Sequence, residues 1–228
     1  PISYALWCKL YKDVLQNISG NESIENYFGI SEKNFTVLAT SKNNSLLSDN
    51  IIITDKGPFV SEGIVNDDYI DKEIKVLEKD GEIIAVLSVN TIEPTISNAY
   101  VVNYGKNSIT IFSGGAERTY EYNYSEKLKA KIVDIKIKNN KCLELIEKIT
   151  VVSGKLERIS NNKIELSDFR DYTIGENFKI YSESDKNIKW KQINDLIVGS
   201  NNIDFIIDNN GYAVAAIIKD KPKLNNIR

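Results

Sequence analysis

"IDFIIDNNGYAVAAII", residues 203–218, is the stretch from which the fold of this chain is read. Two runs of strand-forming residues flank Asn210-Gly211, a pair that supplies the positive φ of a tight hairpin turn at little steric cost. The same unit stands twice earlier, as "IKVLEKDGEIIAVLSV" (74–89) and "VDIKIKNNKCLELIEKI" (133–149). Each reads as a strand, a tight turn and a returning strand. The turn residues Gly81, Lys141 and Gly211 lie 60 and then 70 positions apart. One supersecondary unit therefore closes three successive segments.

Two of those segments also open alike. "AYVVNYGKNSITIF" (99–112) and "VVSGKLERISNNKIEL" (151–166) each run from a strand through an Asn-containing turn into a second strand. The first segment, "FTVLATSKNNSLLSDNIIITDKGPFVSEGIV" (35–65), carries a longer insertion. The pattern predicts a mainly β chain of tandem small β-barrel-like modules, SH3-like or OB-like, at 35–91, 97–149 and 150–221. Pro94 marks the first junction and Thr150 to Ser153 the second. Ahead of them, "ISYALWCKLYKDVLQNI" places Ile2, Leu6, Leu10, Val14 and Ile18 at i, i+4 spacing, which predicts an N-terminal helical segment over 1–34. Modules of this size are marginal alone, so they are expected to pack on one another and on that helix.

Composition narrows the function classes. With 27% charged and 42% hydrophobic residues, the chain has the make-up of an ordinary globular protein. No apolar run approaches the roughly 18–20 residues that span a bilayer, so no membrane insertion is expected. A net charge of -3 argues against a nucleic-acid partner. The lysines of "KLKAKIVDIKIKNNK" (127–141) alternate with apolar residues, as on the wet face of a strand. His is absent, which removes Ser-His-Asp and Cys-His catalysis and His-based zinc sites. No cofactor is expected, and no catalytic residue is assigned. Cys8 and Cys142 form no C-x-x-C and fit best as small buried hydrophobes, with one disulfide left open for an exported protein. Met is absent, including at position 1, which reads as a piece cut from a longer chain.

Four aromatic residues are the binding candidates. "RTYEYNY" (118–124) puts Tyr120, Tyr122 and Tyr124 on one strand face, where a row of rings either stacks on a ligand or fills a core, the core being favoured. Trp190, set between lysines in "NIKWKQI" (187–193), is read as partly exposed, and Trp7 as an anchor of the helix. Gly114-Gly115 in "FSGGAER" (112–118) reads as a hairpin turn, since neither a helix nor a Gly-Lys-Ser/Thr follows to hold phosphate. Asp67, Asp68, Asp71 and Glu73 are too irregularly spaced for an EF-hand loop, and no metal site is assigned.

The C-terminal stretch "DLIVGSNNIDFIIDNNGYAVAAIIKDKPKLNNIR" (195–228) resembles the region that leads into the catalytic domain in Firmicute proteins of the stage II sporulation protein D (SpoIID/LytB) family. "SGKLERISNNKIEL" (153–166), "TVLAT" (36–40) and "DKGPFVSEG" (55–63) are similar to the same region in longer members. The resemblance implies a non-catalytic region of an exported peptidoglycan-remodelling protein, with 222–228 as a linker into a further domain that carries the family's catalytic Glu. No family catalytic residue maps onto this sequence. Peptidoglycan or other cell-wall proteins are the implied partners, and the cell envelope or extracellular space the implied location. The competing reading is an adhesin-like or S-layer-like interaction protein built of the same β modules.

Overall fold

The computed structural model describes residues 29–90, 93–123, 127–184, 187–200 and 202–219. Of the helical segment expected at 1–34, residues 1–28 lie outside this set, together with Trp7 and Cys8. Its last residues are strand instead: Ser31–Asn34 are exposed and polar, and the ladder they form, not apolar periodicity, defines them. The architecture is mainly β, in three sheets.

The first sheet is a closed barrel of five strands: β1 (Ser31–Ala39), β2 (Ile51–Thr54), β3 (Gly57–Val60), β4 (Glu73–Lys79) and β5 (Glu82–Asn90). Strand β1 serves two neighbours. Ser31–Thr36 pair antiparallel with β4, and after a shift at Val37 the strand turns to β2. The circuit closes where β3 meets β5 in parallel at Val60 and Glu82. Alternation along β4, with Ile74, Val76 and Glu78 inward, delivers two of the side chains that pack with Phe35, Val37, Ile52 and Ile83. Phe35 stacks on Phe59 at 4.8 Å between ring centroids. Each large apolar side chain buried this way contributes about 1.5–3 kcal/mol.

The second sheet repeats the circuit. Strands β6 (Thr95–Tyr104), β7 (Ser108–Ser113), β8 (Ala116–Glu121), β9 (Ile132–Lys138) and β10 (Lys141–Lys148) close into a barrel in the equivalent order. Strand β6 pairs first with β9 and then with β7, and β8 meets β10 in parallel at Glu121 and Lys141.

The third sheet takes the same path with its first strand cut in two. Strand β11 (Thr150–Ser153) pairs with β16 (Ile203–Ile207), whereas β12 (Leu156–Ser160) pairs with β13 (Lys163–Leu166). Gly154 stands at the cut, where a Cβ would lie 2.9 Å from Leu166 Cδ1, so any other residue would strike the buried leucine. The long β14 (Asp171–Ser184) pairs antiparallel with β13 and parallel with β17 (Ala213–Lys219), and β16 and β17 form the closing hairpin. One strand has no counterpart in the barrels: β15 (Asn187–Lys191) adds to the far half of β14. A single 3-10 turn, Ile193–Asp195, then leads toward β16.

The hairpins show why the turns were legible. Asp80-Gly81, Gly114-Gly115, Asn139-Asn140 and Asn161-Asn162 all have positive φ at both residues, the requirement of a two-residue hairpin loop. The second repeat's turn is therefore Asn139-Asn140, one residue before the Asn140-Lys141 position expected from alignment. Asn tolerates the left-handed region better than Lys, and Lys141 is already the first residue of β10. The Asn210-Gly211 turn is wider: Asp208 and Tyr212 close it, and only Gly211 is left-handed.

The chain divides into two compact units, of which the first barrel forms one. The second barrel and the seven-stranded sheet form the other, together with Asp55–Gly57. Within this second unit a common core joins Tyr100, Phe112 and Ile132 of the barrel to Tyr181, Ile206, Val214 and Ile217 of the sheet. Only Ile149 separates β10 from β11.

Candidate functional site

The aromatic candidates do not form an exposed row. Tyr120 is fully buried in the second barrel, with the Arg118 guanidinium 5.6 Å from its ring centroid. Tyr122 lies just beyond β8, half-buried, with its backbone N–H donated to Asn107 O. Tyr124 lies outside the described residues. Trp190 is half-buried on β15 and packs edge-on against Tyr181 at 5.9 Å, in the core shared by the barrel and the sheet. Tyr181 also meets Tyr100 and Phe112, so Trp190 completes an aromatic cluster and is not a free-standing platform.

The most unusual group in the second unit is Lys179, only 3% exposed in the middle of β14. Its ammonium donates to Ser97 O and to Ser113 Oγ, the latter at 3.0 Å. Burial pushes its pKa down to about 8, with Asp55 and Asp134 pulling upward and Lys56 adding to the depression. Two residues on, the Tyr181 hydroxyl donates to Asn98 O at 2.6 Å. Burial holds the Tyr181 and Tyr100 hydroxyls protonated well above the usual phenol range. A buried strand of the sheet is thus hydrogen-bonded to the backbone of β6 at Ser97 and Asn98.

Those carbonyls are reachable because β6 bulges there. The β6–β9 register shifts between Ile96 and Ala99, and Asn98 adopts φ 53°. On the sheet, β14 and β17 slip between Ile174 and Lys179, with Asn177 at φ 55°. Asn98 binds both sides: its N–H donates to Asp134 Oδ1 at 2.8 Å and its Nδ2 to Asn177 O at 3.0 Å. Asp134 in turn pairs with Lys148 at 2.8 Å, both less than one-fifth exposed.

Between the two bulges lies a cleft of about 530 Å³, within the range of about 300–1,000 Å³ usual for small-molecule sites. Its floor is Asn98, Asp134 and Lys148, and its wall is Thr173–Asn177 of β14 with Asp208 and Tyr212 of the closing hairpin. Gly175 allows this geometry. A Cβ there would stand 3.2 Å from Tyr212 Cβ and 3.4 Å from Ala213 O, so a side chain at this position would press the hairpin back by a few tenths of an ångström. The Asp208 carboxylate shapes the turn by accepting the N–H groups of Asn210 and Tyr212, each at 2.9 Å. None of these cleft residues was singled out by sequence reasoning. The signals that point to them are two isolated asparagines inside strand patterns, Asn98 and Asn177, and a glycine, Gly175, in a long β run.

Other candidates have structural roles. Asp67 accepts from Thr40 Oγ1, which holds its carboxyl below the usual range, and pairs with Lys42 at 3.3 Å. Asp67, Asp68 and Tyr69 form a 3-10 turn capped by Asn66, and among the described residues no three His, Cys, Asp or Glu side chains converge as metal ligands. Gly114-Gly115 is the β7–β8 turn. The Cys142 thiol is buried and free, donates to Glu144 O, and is pushed up to about 11 by burial. No protein-family model matches the sequence, and no curated protein does.

Proposed function

We propose that this chain is the non-catalytic positioning region of an exported cell-wall remodelling protein of the SpoIID/LytB kind. Its β modules, read as small barrels of SH3-like or OB-like type, act as spacer and wall-contact surface. The observation that carries this reading is the construction of the second unit. One residue joins β10 to β11, a common aromatic core runs through both sheets, and Lys179 and Tyr181 tie β14 to the bulge of β6. A body tied together in this way keeps a fixed spacing between its two ends, the property a positioning region needs.

The carboxylates lend support. Among the described residues, those with displaced acidity, Asp67, Glu78, Asp168, Asp171 and Asp204, are held below the usual range. In Glu78 burial opposes the shift, and Lys33, the Gly81 N–H and Ser31 outweigh it. In Asp204 Lys219 and Ser153 do the same. A general acid at neutral pH requires the opposite displacement.

The test is sedimentation of the purified chain with insoluble peptidoglycan, prepared with and without its stem peptides. Co-sedimentation that a soluble wall digest competes away is the expected result. Failure to sediment with either preparation would refute wall contact.

A further inference from the structure

We propose that the cleft between the β6 and β14 bulges binds a neutral saccharide unit. The assignment rests on the wall-facing reading in one respect, the source of that saccharide. The rest comes from the chemistry of the lining.

The groups at the mouth of the cleft are available. Among the described residues, the side chains of Thr173, Glu176, Asn177 and Tyr212 make no hydrogen bond or ion pair, although each lines the cleft. Tyr212 is 45% exposed. The two hydrogen bonds that Asp208 accepts both fall on Oδ1, which leaves Oδ2 for a ligand. The floor is fixed differently: Asp134, Lys148 and Asn98 are tied to one another or to the backbone. The site thus has a rigid base and a free polar rim.

That rim discriminates among ligands. Asp134 and Lys148 offset each other, and Glu176 and Asp208 leave the cleft acidic, so a phosphate or carboxylate ligand would meet repulsion. A hydroxyl-bearing ring matches better. Its O–H groups donate to the Glu176 and Asp208 carboxylates, and its oxygens accept from Asn177, Thr173 and the Tyr212 hydroxyl. The apolar face of a pyranose, with its axial hydrogens, lies on the exposed Tyr212 ring, an amphipathic surface suited to that contact. Gly175 sets the position of the ring by letting the closing hairpin approach β14.

The experiment titrates the ¹⁵N-labelled chain with tri-N-acetylchitotriose, and separately with a stem peptide bearing a free lysine ammonium. The expected result is saccharide-induced shifts confined to Thr173–Asn177 and Tyr212. Tyr212→Ala should weaken binding about tenfold, the loss of one stacking contact. Asn177→Gly keeps the left-handed backbone and should also weaken it. Glu176→Gln should leave saccharide affinity within about threefold, because an amide still serves as a hydrogen-bond partner of a hydroxyl. Absence of shifts in the cleft with saccharide overturns the proposal. So does preferential binding of the peptide that Glu176→Gln abolishes, which would mark an ammonium site. Peptidoglycan sedimentation separates the two readings. If Tyr212→Ala sediments like the parent and chitotriose does not bind, the cleft is refuted and wall contact stands. If chitotriose binds in the cleft but the chain does not sediment, the saccharide site stands and the wall-facing reading fails.

Discussion

Replacing Lys179 by Met should change how stability depends on pH, with a sign fixed by the structure. In the folded chain the ammonium has a pKa of about 8, lowered first by burial, against 10.5 for an unburied lysine. Between those values the unfolded chain holds a proton that the folded chain has released. The free energy of unfolding therefore rises with pH through the window, is fully recovered above about 10.5, and is lost as pH falls toward about 8. At about 1.4 kcal/mol per pKa unit, the charged lysine costs the fold about 3 kcal/mol near pH 7 and under about 1 kcal/mol near pH 10. Met removes the charge and keeps the chain length, but forfeits the hydrogen bonds to Ser97 O and Ser113 Oγ. That forfeit, about 1–3 kcal/mol, does not depend on pH in this range. The assay is urea unfolding of parent and Lys179→Met, monitored by Trp fluorescence, at several values between about pH 7 and 10. Cys142, Tyr100 and Tyr181 also titrate differently on folding, but they are common to both proteins and cancel in the difference. The stability difference should move by about 2–3 kcal/mol in favour of the parent as pH rises across the window. A difference constant within about 0.5 kcal/mol would refute the placement of a buried, charged lysine in β14.

Substitutions at three further positions test the scaffold. Gly154→Ala drives a methyl into Leu166 at the cut between β11 and β12 and should cost about 1–3 kcal/mol in urea unfolding, whereas Ala at an exposed strand position should be nearly silent. Tyr181→Phe leaves Asn98 O without its 2.6 Å donor and should cost about 1–2 kcal/mol, with faster amide exchange at Asn98 and Ala99. Asn140→Gly should be neutral or better, while Asn140→Ala should lose about 1–2 kcal/mol, because the position holds a left-handed φ of 62°; equal stability of the two variants would show that the two-residue turn is misassigned.

Much of the β architecture was legible because its signals are local. Asp80-Gly81 and Gly114-Gly115 advertise a left-handed turn whatever surrounds them, and the alternation of Ile74, Val76 and Glu78 sets the inward face of β4 without reference to a partner. What escaped notice depends on residues far apart in the chain. Lys179 sits in "ENFKIYSES" like any solvent-facing lysine of an alternating strand, and only the parallel arrival of β17 with the bulge of β6 buries it. The cleft escaped for the same reason, since Thr173, Glu176 and Tyr212 belong to segments some 35 to 40 residues apart and meet through the β14–β17 pairing. Strand position favours a core place for Tyr120, which is buried, and partial exposure for Trp190, which is half-buried, but it does not say that Trp190 joins the core shared by the barrel and the sheet. The one-residue slip at Asn139-Asn140 came from aligning the repeats on the last turn residue, when the second and third turns differ in length.

The interior place of β17 has a mechanical consequence. Its seven residues lie between β16 on one side and β14 on the other. A pull along the strand axis from beyond Lys219 loads both ladders in shear, so many hydrogen bonds must fail together. An edge strand such as β15, held on one side only, can instead be peeled one bond at a time. Since forced unfolding is governed by the unfolding rate, tension arriving from the C-terminal side meets a strand that is released only when both of its ladders give way.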